Sequence, residues 1–230
     1  MMRLTKNIFA GLLLTAVFFM AGTEEASAQR YFKKEISVGG RGGITMSKMR
    51  LDPKVPQNFL MGVTAGAAFR YIEEKYFGFQ IELNYAQHGW KEFFENEPHS
   101  FSRTLNYMEL PFMTHIFFGN QRVRGFVNLG PQIGFYLSDS YTSNFDVLQP
   151  PVFGIIRETA QYTQKVTRKF DYGITGGAGF ELRFGKHIFD LEGRYYFGLG
   201  DIFPNHKRDV FSASSIQSIY VTLTYMFRLR

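Results

Sequence analysis

Between Phe170 and Phe184 every second residue is bulky or apolar apart from one glycine: Phe170, Tyr172, Ile174, Gly176, Ala178, Phe180, Leu182, Phe184. The residues between them are Asp171, Gly173, Thr175, Gly177, Gly179, Glu181 and Arg183, small in the middle and charged at the ends. A period of two belongs to a strand, not a helix. Glycine weakens a strand interior, so three of them on one face need a structural reason.

The same alternation recurs along the chain and predicts eight strands: Ile36–Ser47, Leu60–Tyr71, Tyr76–Gln87, Leu105–Phe118, Arg124–Leu137, Phe170–Phe184, His187–Phe197 and Ile216–Leu229. Pro111 falls inside the fourth and predicts a local bulge there, because proline has no N–H for the ladder. The connections alternate long and short. Lys48–Phe59, His88–Thr104, Ser138–Arg168 and Gly198–Ser215 are long, whereas Ile72–Lys75, Gly119–Val123 and Gly185-Lys186 are short. Antiparallel neighbours then gather the long connections at one end and the short ones at the other. That is the layout of an outer-membrane barrel, with short periplasmic turns, long external loops and an even strand number.

Alternation alone does not say which face meets solvent or lipid, and a secreted lipocalin-like barrel has the same rhythm. Three features favour the membrane. The polar face carries Gly62, Gly66, Gly78, Gly173, Gly177 and Gly179, which benefit a crowded narrow interior and not a water-facing surface. Its charges nearly balance, as buried charges must: Arg41, Arg70, Arg183 and Arg194 against Glu82, Glu109, Glu181, Asp190 and Glu192. The apolar stripes run for about 9–11 residues, the length that crosses a bilayer with tilt, and aromatics gather toward their ends like interfacial girdles. The expected fold is therefore all-β, an eight-stranded antiparallel up-and-down transmembrane β-barrel, with His115 also inside it, near Glu109. The soluble carrier remains the rival. It calls for a G-x-W near the first strand, while the single tryptophan, Trp90, falls in the connection His88–Thr104.

The amino terminus reads as an address. MMRLTKN is basic, Ile8–Met20 is apolar, and Ala26-Ser27-Ala28 precedes Gln29, the pattern of a secretory signal peptide cleaved after Ala28. The apolar run is short for a membrane span, which needs about 20 residues. Residues 1–28 are expected to be removed, leaving a barrel domain over 29–230 in the bacterial outer membrane.

Composition narrows the chemistry. With no cysteine there is no disulfide framework and no thiolate nucleophile or metal ligand. Aromatic content of 17%, with 26 Phe and 13 Tyr, suits pleated surfaces. The formal charge of +6 is scattered along the chain, so no nucleic-acid partner is expected.

The pieces GGRGGITMS, FQIELNYAQHG, LNYMELPFM, NLGPQIGFYL and GGAGFEL together resemble the PorT-like outer-membrane β-barrel family of Bacteroidetes, over nearly all of the mature chain. That resemblance implies the fold and the compartment, and for some members an accessory part in a type IX protein secretion pathway. The chain departs from the common aromatic ending of such barrels, closing Phe227-Arg228-Leu229-Arg230.

Candidate chemistry is thin. No two of His88, His99, His115, His187 and His206 have metal-ligand spacing, and there is no G-x-S-x-G or phosphate loop. No metal and no cofactor are expected. His115 with Glu109 reads as an interior hydrogen bond. His88, His99, His206, Ser100 and Asp201 fall in external connections, where a lipid-modifying enzyme of the outer leaflet would build its site, and this is the alternative activity. Eight strands leave no open channel. The expected role is non-enzymatic: envelope structure, or accessory to secretion or surface interaction, with outer-membrane lipid and secretion-machinery or surface proteins as partners. The expected contact is the loop Ser138–Arg168, through an exposed apolar patch of Phe145, Val147, Leu148, Val152, Phe153, Ile155 and Ile156.

Overall fold

The computed structural model describes residues 34–95, 97–153, 158–205 and 210–229. The proposed signal segment lies outside them. The strands are β1 (Glu35–Asp52), the two-residue β2 (Gln57–Asn58), β3 (Leu60–Ile72), β4 (Phe77–Glu92), β5 (Phe101–Gly119), β6 (Val123–Ser143), β7 (Phe170–Phe184), β8 (His187–Gly198) and β9 (Ala213–Arg228). All pairings are antiparallel between sequence neighbours, and β1 pairs with β9 from Ser37↔Arg228 to Asp52↔Ala213. The eight long strands therefore close into a ring. Pairing β1 with β9 leaves no open edge, the condition for a sheet to sit in lipid. β2 is an appendage, hydrogen-bonded to the far end of β4.

Polarity decides the environment. The inward side chains are charged or polar and almost fully shielded, among them Arg41, Arg70, Gln80, Glu82, Glu109, Glu181, Asp190, Glu192 and Arg194. The outward ones are apolar and exposed, for example Leu83 (51%), Leu129 (57%), Ile174 (52%), Leu191 (54%) and Leu223 (59%). Exposed rings bracket that belt: Phe79, Phe118, Phe184 and Phe189 toward the short-turn end, Phe135, Phe170, Tyr172 and Tyr195 toward the long-loop end. A soluble barrel has the opposite arrangement, so the expectation of a membrane barrel holds.

Three local expectations are corrected. The strands run further toward the long-loop end than the alternation suggested: β1 to Asp52, β4 to Glu92, β5 from Phe101, β6 to Ser143. Trp90 is consequently within β4, fully buried, not in a loop. Pro111 causes no bulge: it pairs with Gln132, and the register is unchanged at Thr114↔Leu129. Its missing donor is absorbed on the other side, where the β4–β5 ladder passes over Leu110 and Pro111 between Asn84↔Glu109 and Ile81↔Phe112. The register shift between β5 and β6 lies at Asn106/Tyr107, which leaves Leu137 as the extra residue of β6.

The glycines of β7 now have their reason. Gly177 is flanked by Asn128 of β6 and Arg194 of β8 in register. A Cβ there would meet the Gly193 carbonyl at 2.6 Å and the Arg194 Cα at 2.9 Å. At Gly179 it would meet the Phe126 ring at 2.6 Å. The close backbone of β8, joined at Gly179 by the inward Phe126 ring, occupies the space that a β7 side chain would need.

Candidate functional site: a filled interior and a sealed mouth

The interior is a stack of hydrogen-bonded ion pairs. At its centre Glu82 accepts from Arg41, from both terminal nitrogens of Arg194 at 2.9 Å, from Gln80 Nε2 at 2.6 Å and from Asn84 Nδ2 at 2.9 Å. Arg194 also donates to Glu192 at 2.6 Å, and Arg41 to Thr222 Oγ1 at 2.8 Å. Asn128 donates to Glu192 at 2.8 Å, so its carbonyl oxygen is the atom that accepts from His115 Nδ1, also at 2.8 Å. Toward the short-turn end Arg70 donates to Glu181 at 2.6 Å, to Asp190 and, through Nε, to Gln80 at 2.7 Å. Arg183 joins Glu35 to Glu181 below it. All ten residues expected in the interior network are thus placed inside the barrel, each 6% exposed or less. At the edge, the hydrogen bond from exposed Lys34 to Glu73 raises the lysine above its ordinary range.

Glu109 does not partner His115. They stand six positions apart along β5, about 20 Å, and Glu109 meets His88 instead. His88 was expected in an external loop; it is an inward residue of β4, 1% exposed. A carboxylate only accepts, so His88 Nε2 donates to Glu109 at 2.7 Å, while Nδ1 is hydrogen-bonded to the Ser218 hydroxyl at 2.8 Å. Tyr220 donates to both Glu109 oxygens at 3.0 and 3.2 Å. Serine, histidine and glutamate stand here in the bond order of a nucleophile relay. Ser218 is 1% exposed, and its ceiling is aromatic, so no substrate carbonyl reaches it in this state. The arrangement reads as a satisfied polar layer.

Above that layer the interior changes character. Trp90, Phe101, Leu105, Tyr107, Tyr196 and Ile216 from the strands join Ile202, Phe203 and Phe211 from the last loop in one apolar cluster. The loop between β6 and β7 folds back over it. Its short 3-10 turn, Ala160–Tyr162, inserts Gln161 and Tyr162, both buried. Gln161 Nε2 and the Tyr162 hydroxyl donate to the two oxygens of Glu92, each at 2.8 Å. Arg103 pairs with Asp139 at 2.6 Å and donates to the Gln164 carbonyl at 2.7 Å. The mouth is therefore stoppered by the chain itself.

This corrects the expected contact patch. Phe145, Val147 and Phe153 do not face outward; they pack against the cluster, because aromatic neighbours such as Phe94 and Tyr162 offer them burial. Leu148 (77%) and Val152 (100%) do project, while Ile155 and Ile156 lie outside the described residues. The loop residues weighed for catalysis do not converge either. His99 is packed among Phe94, Phe145 and Phe153. Asp201 accepts from the Ser214 backbone and from Asn205, Ser100 is tied to Asn144, and His206 lies outside the described residues. Among the described residues no three His, Asp or Glu side chains are grouped to hold a metal.

The signal for His88, Glu92 and Arg103 was present: each shares the inward parity of residues already placed inside, Glu82 for the first two and Glu109 for the third.

A family model described as an outer membrane protein beta-barrel domain matches residues 26–204. No curated protein matches the sequence. Among solved structures, the outer membrane protein OprG from Pseudomonas aeruginosa aligns with a TM-score of 0.50 at 11% identity, over 86% of this chain and 96% of its own. Neisserial surface protein A aligns with a TM-score of 0.47 at 10% identity, over 85% and 99%. The outer membrane enzyme PagL aligns with a TM-score of 0.39 at 11% identity, over 85% and 99%. At such identities the likeness concerns the fold alone.

Proposed function

The chain belongs to the outer-membrane β-barrel domain family, and from that premise we propose a closed, non-conducting barrel whose work is done on its outer surfaces. It serves envelope structure, or acts as an accessory to protein secretion or surface interaction in the manner of the PorT-like barrels that its sequence resembles. The observation that carries this reading is the filling of the barrel at every level, by paired charges below and by the stoppered aromatic cluster above. A solute would have to break buried ion pairs, which costs several kcal/mol for each one opened. What remains for function is the long-loop end, with Leu148 and Val152 raised on a loop whose other described apolar residues are pinned. The mature protein begins at Gln29 after removal of a signal peptide.

Two measurements test this. In planar lipid bilayers the purified barrel is expected to give no stepwise conductance, and regular channel openings would refute the closed interior. In cells, deletion is expected to alter the set of proteins secreted or held at the surface, with the bulk permeability of the envelope unchanged. A permeability defect with an intact surface proteome would refute the accessory role.

A further inference from the structure

We infer that the outward faces of β1, β4 and the intervening β2–β3 segment, just above the apolar belt, form a binding site for the phosphate groups of an outer-leaflet glycolipid. Lys48 and Arg50 on β1 and Lys91 on β4 all point away from the barrel and are exposed. The register brings them together. Ser47 pairs with Leu60, which sets Lys48 beside Phe59, and Asn58 pairs with Lys91. Lys48 Nζ stands 5.3 Å from the centre of the Phe59 ring. Phe59 and Phe93 are 48% and 45% exposed, so two rings flank the three cations.

The site sits at the right depth for a lipid headgroup. Descending the same strands, the outward positions become Ile44, Met61, Val63 and Leu83, all exposed and apolar. Acyl chains cover that belt, and the headgroups they carry lie at the level of the cations. Lys48, Arg50 and Lys91 make no ion pair among the described residues. The carboxylates nearest in sequence are engaged: Asp52 accepts from Ser212 at 2.6 Å, and Glu92 turns inward to Gln161 and Tyr162. Glu95 lies beyond Phe93, further from the belt.

The cluster is also bounded on both flanks by uncharged residues. Across the ladders, Lys91 faces Ser102, Lys48 faces Gln217 and Arg50 faces Ser215. Going on round the rim, the outward residues are Thr104 and Asn106 on β5, opposite Ser140 and Ser138 on β6. All are polar and uncharged. A second exposed basic group, Lys165, Arg168 and Lys169, precedes β7, and the uncharged β5–β6 wall separates it from the cluster on β1 and β4. Lysine and arginine match phosphate as point charge and as planar fork respectively, and basic side chains at a membrane surface attract anionic headgroups. The belt directly below selects a lipid-borne phosphate over a free one.

The test uses the full mature barrel in detergent and measures retained lipid by native mass spectrometry. The probes are bisphosphorylated lipid A and the same lipid after enzymatic removal of its phosphates. The wild-type protein is expected to prefer the phosphorylated form, a comparison that needs no variant. The Lys48→Gln/Arg50→Gln/Lys91→Gln protein is expected to lose about a hundredfold in affinity, about fivefold for each cation removed. A charge-matched control at the short-turn end, Lys75→Gln/Arg122→Gln/Lys186→Gln, is expected to bind like wild type. Equal binding of both lipid forms, or equal loss in the two triple variants, would overturn the inference. Displacement by millimolar inorganic phosphate at constant ionic strength would assign the cations to free phosphate and overturn the lipid reading.

Discussion

Replacing Glu82 by glutamine removes one charge from the centre of the barrel and keeps the side chain's shape. Oε1 receives Gln80 and one Arg194 nitrogen; Oε2 receives Arg41, Asn84 and the other Arg194 nitrogen. A glutamine offers one acceptor oxygen and aims an N–H₂ at the donors of the other side. Two or three of the five bonds are lost whichever way it turns. Hydrogen bonds to charged groups contribute about 1.5–3 kcal/mol each and do not add fully, while stripping a buried ion of its partner costs about 3–5 kcal/mol. Arg41 and Arg194 would then share Glu192, which lies 3.8 Å from one and 2.6 Å from the other. The expected loss is therefore about 3–5 kcal/mol. The assay is urea unfolding in lipid vesicles, followed by heat-modifiable gel migration. A second variant sharpens it. Adding Arg194→Met to Glu82→Gln leaves Arg41 facing Glu192, one cation to one anion. The double variant is expected to fall short of the summed single losses by about 2 kcal/mol, within the range seen for contacting residues. A loss below about 1 kcal/mol for Glu82→Gln, or strict additivity in the cycle, would refute the view that charge pairing holds the interior together.

Four further outcomes are expected. Gly177→Val should reduce the folded fraction in vesicles more than Gly176→Val, because its Cβ meets backbone of β8 at 2.6–2.9 Å whereas that at Gly176 meets the movable Leu129 side chain at 3.1 Å. Leu223→Arg, in the middle of the lipid-facing belt, should cost about 2–4 kcal/mol in the same unfolding assay, and Ser102→Arg, on the outward face near the mouth, about 0–1. Trp90 is the single tryptophan and is fully buried, so its emission should be blue-shifted and shielded from acrylamide; Tyr162→Ala, which opens the stopper, should raise the quenching constant severalfold. Ser218→Ala should leave outer-leaflet lipid chemistry unchanged while lowering stability by about 1 kcal/mol for one hydrogen bond, and a lipid-hydrolysis phenotype would revive the relay as a catalytic one.

Much of the membrane part was legible because two constraints repeat there. Lipid demands an apolar outward face, and a narrow lumen demands small or paired polar groups inward, so every strand in that zone carries a clean period of two. The glycines of β7, the residues of the inner charge network and the ring order of strands follow from it. The pairing inside the network was not legible. Glu82 meets Arg41 and Arg194, from strands 41 and 112 residues distant in sequence, and only closure of the ring sets which side chains share a layer. His115 and Glu109 share a face and a strand, but at about 3.3 Å per residue they stand about 20 Å apart, so the rise of the strand alone rules that pair out.

The strand ends went astray for one physical reason, and it explains the fold's division of labour. On β1 the inward face runs from polar Arg41, Thr45 and Ser47 to apolar Met49 and Leu51, while the outward face runs from Ile44 and Met46 to Lys48 and Arg50. On β4 the inward face passes from Glu82, Asn84 and His88 to Trp90, and the outward face from Leu83 to Lys91. On β5 the outward residues Asn106, Thr104 and Ser102 replace the apolar ones as the inward face becomes Leu105 and Phe101. The polarity of the wall inverts at one height. Below it the barrel has a polar core and an apolar skin, as lipid requires; above it the same strands have an apolar core and a polar skin, as water requires. The strands assigned from the sequence stop at Ser47, Gln87 and Leu137 or start at Leu105, all near that level, because the rule used to find them reverses there. The inversion marks where the outer leaflet ends. It also explains why the mouth is sealed by aromatic residues: the projecting rim is a small water-facing domain that needs its own hydrophobic core, and the loop carrying Phe145, Phe153 and Tyr162 completes it.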